Sequence, residues 1–84
     1  MKTLMKFWAP WCGPCKTMDV RVKEALKIVP DINFEAINID ESMAVATARG
    51  VKSIPTLILL DENGEEQTRL VGVQSVDAIN NLLR

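Results

Sequence analysis

A chain of 84 residues, 48% hydrophobic and 25% charged, has enough apolar material for one small core, so a single domain over residues 1–84 is expected. A formal net charge of −1 with scattered signs excludes the basic face of a nucleic-acid binder, and the composition excludes a disordered chain. Two cysteines and no histidine exclude a structural zinc site built within one chain, which takes four thiolate or imidazole ligands.

The first predicted element is a strand over Thr3 to Trp8, mostly apolar and buried on both faces, interrupted by Lys6. Trp11-Cys12-Gly13-Pro14-Cys15 follows, and from Gly13 the periodicity becomes helical, with Met18, Val22, Leu26 and Val29 on one stripe. Pro30 and Asp31 end that helix, and Ile32 to Ile39 reads as a second strand, parallel to the first after a helical crossover. Asp40 or Ser42 is placed to cap a short helix through Ala48, with Gly50 to terminate it. Leu57 to Leu60 and Glu66 to Val71 flank an Asn63-Gly64 turn and should pair as an antiparallel hairpin. Ser75 caps a last helix whose inner stripe is Val76, Ile79, Leu82 and Leu83. The predicted architecture is α/β: a four-stranded mixed sheet in the order βαβ-α-ββα.

The chemistry is concentrated in the cysteine pair. Sulfurs at i and i+3 in a first helical turn lie on one side, near enough to close a small disulfide ring. A helix N-terminus offers unsatisfied N–H groups and the positive end of the macrodipole, which stabilise a thiolate there. Cys12 is therefore the candidate nucleophile, and Cys15, one turn further in and expected to be more buried, the candidate resolving thiol. Pro14 is tolerated in the first turn because its missing N–H has no intrahelical partner, and Gly13 leaves the approach to the sulfur open. Two other readings of the pair are an inert disulfide and half of a metal site shared by a dimer or completed by carboxylates. The longest largely apolar stretch, Ile54 to Leu60, is too short for a bilayer span, and the N-terminus lacks a signal-peptide pattern. A cytoplasmic setting is the expectation, and there a CxxC pair is catalytic more often than it is a permanent staple.

Strand, CxxC and helix inside a βαβ unit is the context that reads as thioredoxin-like, and the residues carry the resemblance further. Phe7 to Lys16 (FWAPWCGPCK) resembles the active-site segment of thioredoxins, Asn38-Ile39-Asp40 the end of their next strand, and Val51 to Thr56 (VKSIPT) their cis-proline loop; Gly72 resembles the glycine facing that loop. The resemblance implies a thioredoxin-like fold with helices on both faces of the sheet and a protein disulfide reductase. In it the Cys12 thiolate attacks a substrate disulfide, Cys15 resolves the mixed disulfide, and a reductase restores the dithiol. No cofactor or metal is implied, nor a nucleic-acid or membrane partner, and the expected state is a monomer. Substrate contacts are expected from Trp11, Ile54, Pro55 and Gly72, with Ile54-Pro55 cis; read without the resemblance, Pro55 is a proline opening a strand. Trp8 is expected to pack beneath the active-site turn, and Lys16 is either a charge beside the thiols or a solvated side chain.

The chain also departs from the family. The strand and helix that precede the active-site strand in typical members have no counterpart, so the expectation is a trimmed fold with a less protected sheet edge. Lys6 stands where the family usually has a buried aspartate thought to handle the proton of the resolving cysteine. On alternation it shares a face with Leu4 and Trp8, and it is expected either partly buried with a depressed pKa or extending to solvent. Val20 replaces a proline that usually kinks the active-site helix, which should therefore be straighter. Competing functions are a glutaredoxin-like enzyme using glutathione, a non-catalytic partner subunit with the same fold, and a dimer bridging a metal or iron–sulfur cluster.

Overall fold

The computed structural model describes residues 1–84. Its elements follow the predicted order: β1 (Lys2–Trp8), α1 (Gly13–Ile28), β2 (Ile32–Asn38), α2 (Met43–Ala48), β3 (Thr56–Leu60), β4 (Glu66–Val71) and α3 (Val76–Leu83). The four strands form one sheet in the order β2-β1-β3-β4. β1 pairs parallel with β2, Lys6 opposite Ala36, and antiparallel with β3, Lys6 opposite Leu57. The parallel pair is the one that α1 connects, as a helical crossover requires.

Alternation along β1 and β3 assigns the two faces. Leu4, Leu57 and Leu59 point to α1 and α3, where they pack with Met18, Val22, Ala25, Ile79, Leu82 and Leu83. Met5, Phe7, Ile58 and Leu60 point the other way, to Ala46 of α2. β3 is buried along its whole length because both faces are covered.

Helix α1 runs unbroken for 16 residues, and its buried stripe is Cys15, Met18, Val22 and Ala25; Leu26 and Val29 are only partly covered. The stripe is thus rotated from the expected one toward the cysteine, because the helix must seat Cys15 as well as its apolar side chains. Ser75 caps α3 as expected, its Oγ accepting the Ala78 N–H at 3.1 Å. The expected side-chain cap on α2 is not made: Ser42 occupies the N-cap position without a side-chain hydrogen bond, and the Asp40 carboxylate is used elsewhere. In the β3–β4 connection the Asp61 carboxylate accepts the N–H groups of Asn63 and Glu65, and Gly64 adopts a φ of +81° that disfavours any other residue. β2 is an edge strand whose residues Asn33 to Ala36 are exposed, the less protected edge expected from the sequence.

Candidate active site

Strand β1 ends at Trp8, and the chain turns through Ala9, Pro10 and Trp11 into α1, with Cys12 as the N-cap residue. Cys12 and Cys15 form a disulfide with Cα atoms 5.3 Å apart. The Cys15 backbone N–H donates to Cys12 Sγ at 3.1 Å, so the first sulfur holds the position that a serine or aspartate oxygen takes at an ordinary cap. Both cysteines are buried, at 5% and 2% exposure, so the expected contrast between them is slight in the disulfide state. Gly13 has nothing within 4 Å of where a Cβ would stand, and Pro14 lies in the first turn.

Ala9, Cys12 and Cys15 form a small apolar cluster against which Trp8, Ile39 and Ile54 pack. Ile54-Pro55 is cis, and Gly72, at φ +83°, donates its N–H to the Pro55 carbonyl at 2.8 Å. The loop before β3 and the end of β4 are thereby tied together beside the disulfide. Trp8 is half-buried under the turn, as expected for a packing residue. Trp11 is 68% exposed, and its Nε1 donates to the Asp40 carboxylate at 3.1 Å, which fixes an indole that would otherwise be free.

Two hollows flank the cysteine turn. One, of about 400 Å³, runs past Trp11, Ile39, Met43, Thr47, Val51 and Ile54 and is mainly apolar. Helix α2 supplies part of its wall through Met43 and Thr47. The other, of about 300 Å³, borders Cys15 and is lined by Lys6, Trp8, Pro10, Lys16, Asp19 and Ala36.

Of the two placements expected for Lys6, the structure shows the buried one. It is 4% exposed and does not reach solvent; instead its Nζ donates to Asp19 Oδ1 at 3.0 Å and lies 5.9 Å from the centre of the Trp8 ring. The reason is its setting: β1 lies between two strands and α1 covers the face on which Lys6 emerges, so the nearest polar partner is a helix carboxylate. Lys23, one turn further along α1, takes the second Asp19 oxygen at 3.0 Å. Hydrogen bonds from Lys23 and then Lys6 hold the Asp19 carboxyl below the usual carboxylate range. Asp19 is absent from the sequence-derived site, although its i+4 spacing from Cys15 put it on the same face of α1. The pairing of Trp11 with Asp40 spans 29 residues and has no signal in local pattern. No group of three or more histidine, cysteine, aspartate or glutamate side chains converges anywhere in the structure.

This arrangement has close counterparts. Residues 1–84 match the family model for thioredoxin. The chain is 38% identical to a thioredoxin of Mycoplasma pneumoniae over 84% of its own length and 69% of that protein's. It is also 38% identical to a thioredoxin of Chlamydia pneumoniae, over 95% of its length and 78% of the other's. Among solved structures, a mutant thioredoxin from Halobacterium salinarum superposes with a TM-score of 0.86 at 39% identity, covering 98% of this chain and 71% of that one. With its cysteine pair at the start of α1 and this match along its length, the chain belongs to the thioredoxin family of thiol–disulfide oxidoreductases.

Proposed function

We propose that the chain reduces protein disulfides by a two-step exchange in which Cys12 attacks and Cys15 resolves. The observation that carries this reading is the Cys15 N–H donated to Cys12 Sγ at the mouth of α1. When the pair is reduced, the same donor and the helix dipole favour the Cys12 thiolate, the form that attacks a disulfide. Attack joins Cys12 to one substrate sulfur and releases the other as a thiol. The Cys15 thiolate then attacks Cys12, closing the intramolecular disulfide and releasing the second substrate thiol. Two electrons pass from the dithiol to the substrate, and a reductase returns them.

Trp11, Ile54, Pro55 and Gly72 are assigned to substrate contact, with the apolar hollow along Met43 receiving side chains next to the target cysteine. The exposed indole next to Cys12 in the chain and the packing of Ile54 against the Ala9–Cys12–Cys15 cluster support this assignment. Gly13 and Pro14 serve the approach to Cys12 and the helix start. We further infer that residues 1–84 act as one unit, as a monomer in the cytoplasm, and that nucleic acid and membrane are not partners. The net charge of −1 argues against a nucleic-acid partner, and no helix is long and apolar enough to cross a membrane.

The test is reduction of a model protein disulfide by dithiothreitol with wild type, Cys12→Ser and Cys15→Ser. Loss of acceleration in both variants, with a trapped mixed disulfide in Cys15→Ser alone, is the expected result. A wild type no faster than dithiothreitol alone would sink the reading.

A further inference from the structure

The hollow beside Cys15 is lined by three charged side chains, and the exchange chemistry above assigns none of them a task. Lys6 enters from β1, Lys16 and Asp19 from α1; β2 contributes only Ala36, and the turn only Ala9 and Pro10. Lys16 is exposed, so water screens its charge. Lys6 is the one cation inside, and a charge in a site of low polarity acts over longer range than one in water. Asp19 fixes it there at 3.0 Å, while Lys23, on the solvent side, takes the other carboxylate oxygen and so draws part of the negative charge outward.

We propose that Lys6 is a positioning residue for the second step: held by Asp19, its ammonium stabilises the Cys15 thiolate that resolves the mixed disulfide. The inference rests on the order of attack given above. Cys15 is 2% exposed, and burial in apolar surroundings makes a thiolate unfavourable, so the resolving sulfur needs a compensating charge in a way the helix-capping sulfur does not. In the step itself, the Cys15 S–H bond breaks and its proton leaves to solvent through the hollow. The new Cys15–Cys12 bond forms as the bond from Cys12 to substrate breaks, and the departing sulfur carries away the electron pair and takes up a proton. Lys6 bonds to no reacting atom; it lowers the energy of the anion that must form first.

The two steps separate in a stopped-flow experiment in which the reduced protein meets excess Ellman's reagent. Cys12 releases the first coloured thiolate, and Cys15, on resolving, releases the second. In Lys6→Met the pH midpoint of the second phase should rise by about one unit, the effect of removing a nearby opposite charge, and its rate at pH 7 should fall about tenfold, while the first phase moves much less. Lys6→Arg, for whose larger head the hollow has room, should restore the second phase, because a guanidinium stays charged and can pair with Asp19. If Lys6→Met leaves a carboxylate without its partner and fails to fold, Lys6→Met/Asp19→Asn removes both charges and serves instead, with a midpoint raised but by less. An unchanged second-phase midpoint in the folded variant, or a folded Lys6→Arg that behaves like Lys6→Met, overturns the proposal. A wild type that releases no second thiolate overturns the resolving step on which the proposal rests, so the two failures are told apart.

Discussion

The two hollows beside the disulfide differ in what covers them and therefore in what they do. The one toward α2 is walled by Trp11, Ile39, Met43 and Ile54, with large apolar surface left in contact with water. The one toward α1 contains an ammonium and a carboxylate held together next to the second sulfur. Exposed apolar surface gains free energy only when something covers it, and on that ground the first hollow is proposed as a recognition surface. A fixed charge near a titrating sulfur acts whether or not anything is bound, so the second bears on rate and pH dependence. The cysteine turn separates the two, and each can be altered with little effect on the other.

Losing both functions at once needs a change at the turn itself. Cys12→Ser and Cys15→Ser should each reduce catalysed turnover to the dithiothreitol background, because neither alone can complete the exchange. Next in size is the core beneath the apolar hollow. Phe7, fully buried on the α2 face of β1 between Lys6 and Trp8, should cost about 3–5 kcal/mol on truncation to alanine, read as a large fall in denaturation midpoint. A loss below about 1 kcal/mol would mean that the α2 face is loosely packed and the apolar hollow poorly formed.

Smaller effects should then sort by side. Met43 is exposed and lines only the apolar hollow, so Met43→Glu should raise KM for a protein substrate several-fold, on the order of 1 kcal/mol, with little change in kcat. A change confined to kcat would show that the hollow is not a recognition surface. On the charged side, the Asp19 carboxyl is lowered in the folded protein by Lys23 and then Lys6. The ion pair therefore contributes stability above the carboxyl's unfolded pKa, near 4, and that contribution is lost as pH falls through the lower folded value. Asp19→Asn should flatten the acid limb of the stability curve below about pH 4. An acid limb identical to wild type would remove Asp19 from the stability balance. The magnitude is modest, since the Asp19 side chain is 34% exposed and solvent screens it.

Much of this was legible along the chain. The i, i+3 spacing of the cysteines, the capping role of Ser75 and the hairpin strands on either side of Asp61 to Gly64 depend on residues a few positions apart, which local periodicity and turn chemistry describe directly. The expected stripe of α1 shares Met18 and Val22 with the observed one, which buries Cys15 and Ala25 and leaves Leu26 and Val29 partly covered, because the packing angle of the helix on the sheet selects the face. Helix α2 was readable as a helix, but not as a wall of the hollow near Trp11, because that depends on where the chain returns after β2. Lys6 was recognisable as out of place in an apolar strand, and alternation correctly set it on the face of Leu4 and Trp8.

The sequence by itself determined the elements, their order and the redox pair, because each is specified by contacts within a turn or two of chain. Only the tertiary structure decided what Lys6 and Trp11 meet: Asp19 across the β1–α1 interface, and Asp40 just past the end of β2. A charged or polar group pairs with whatever the packing of its neighbours brings within about 3 Å, and that is set by how helices lie on the sheet, which no local pattern contains.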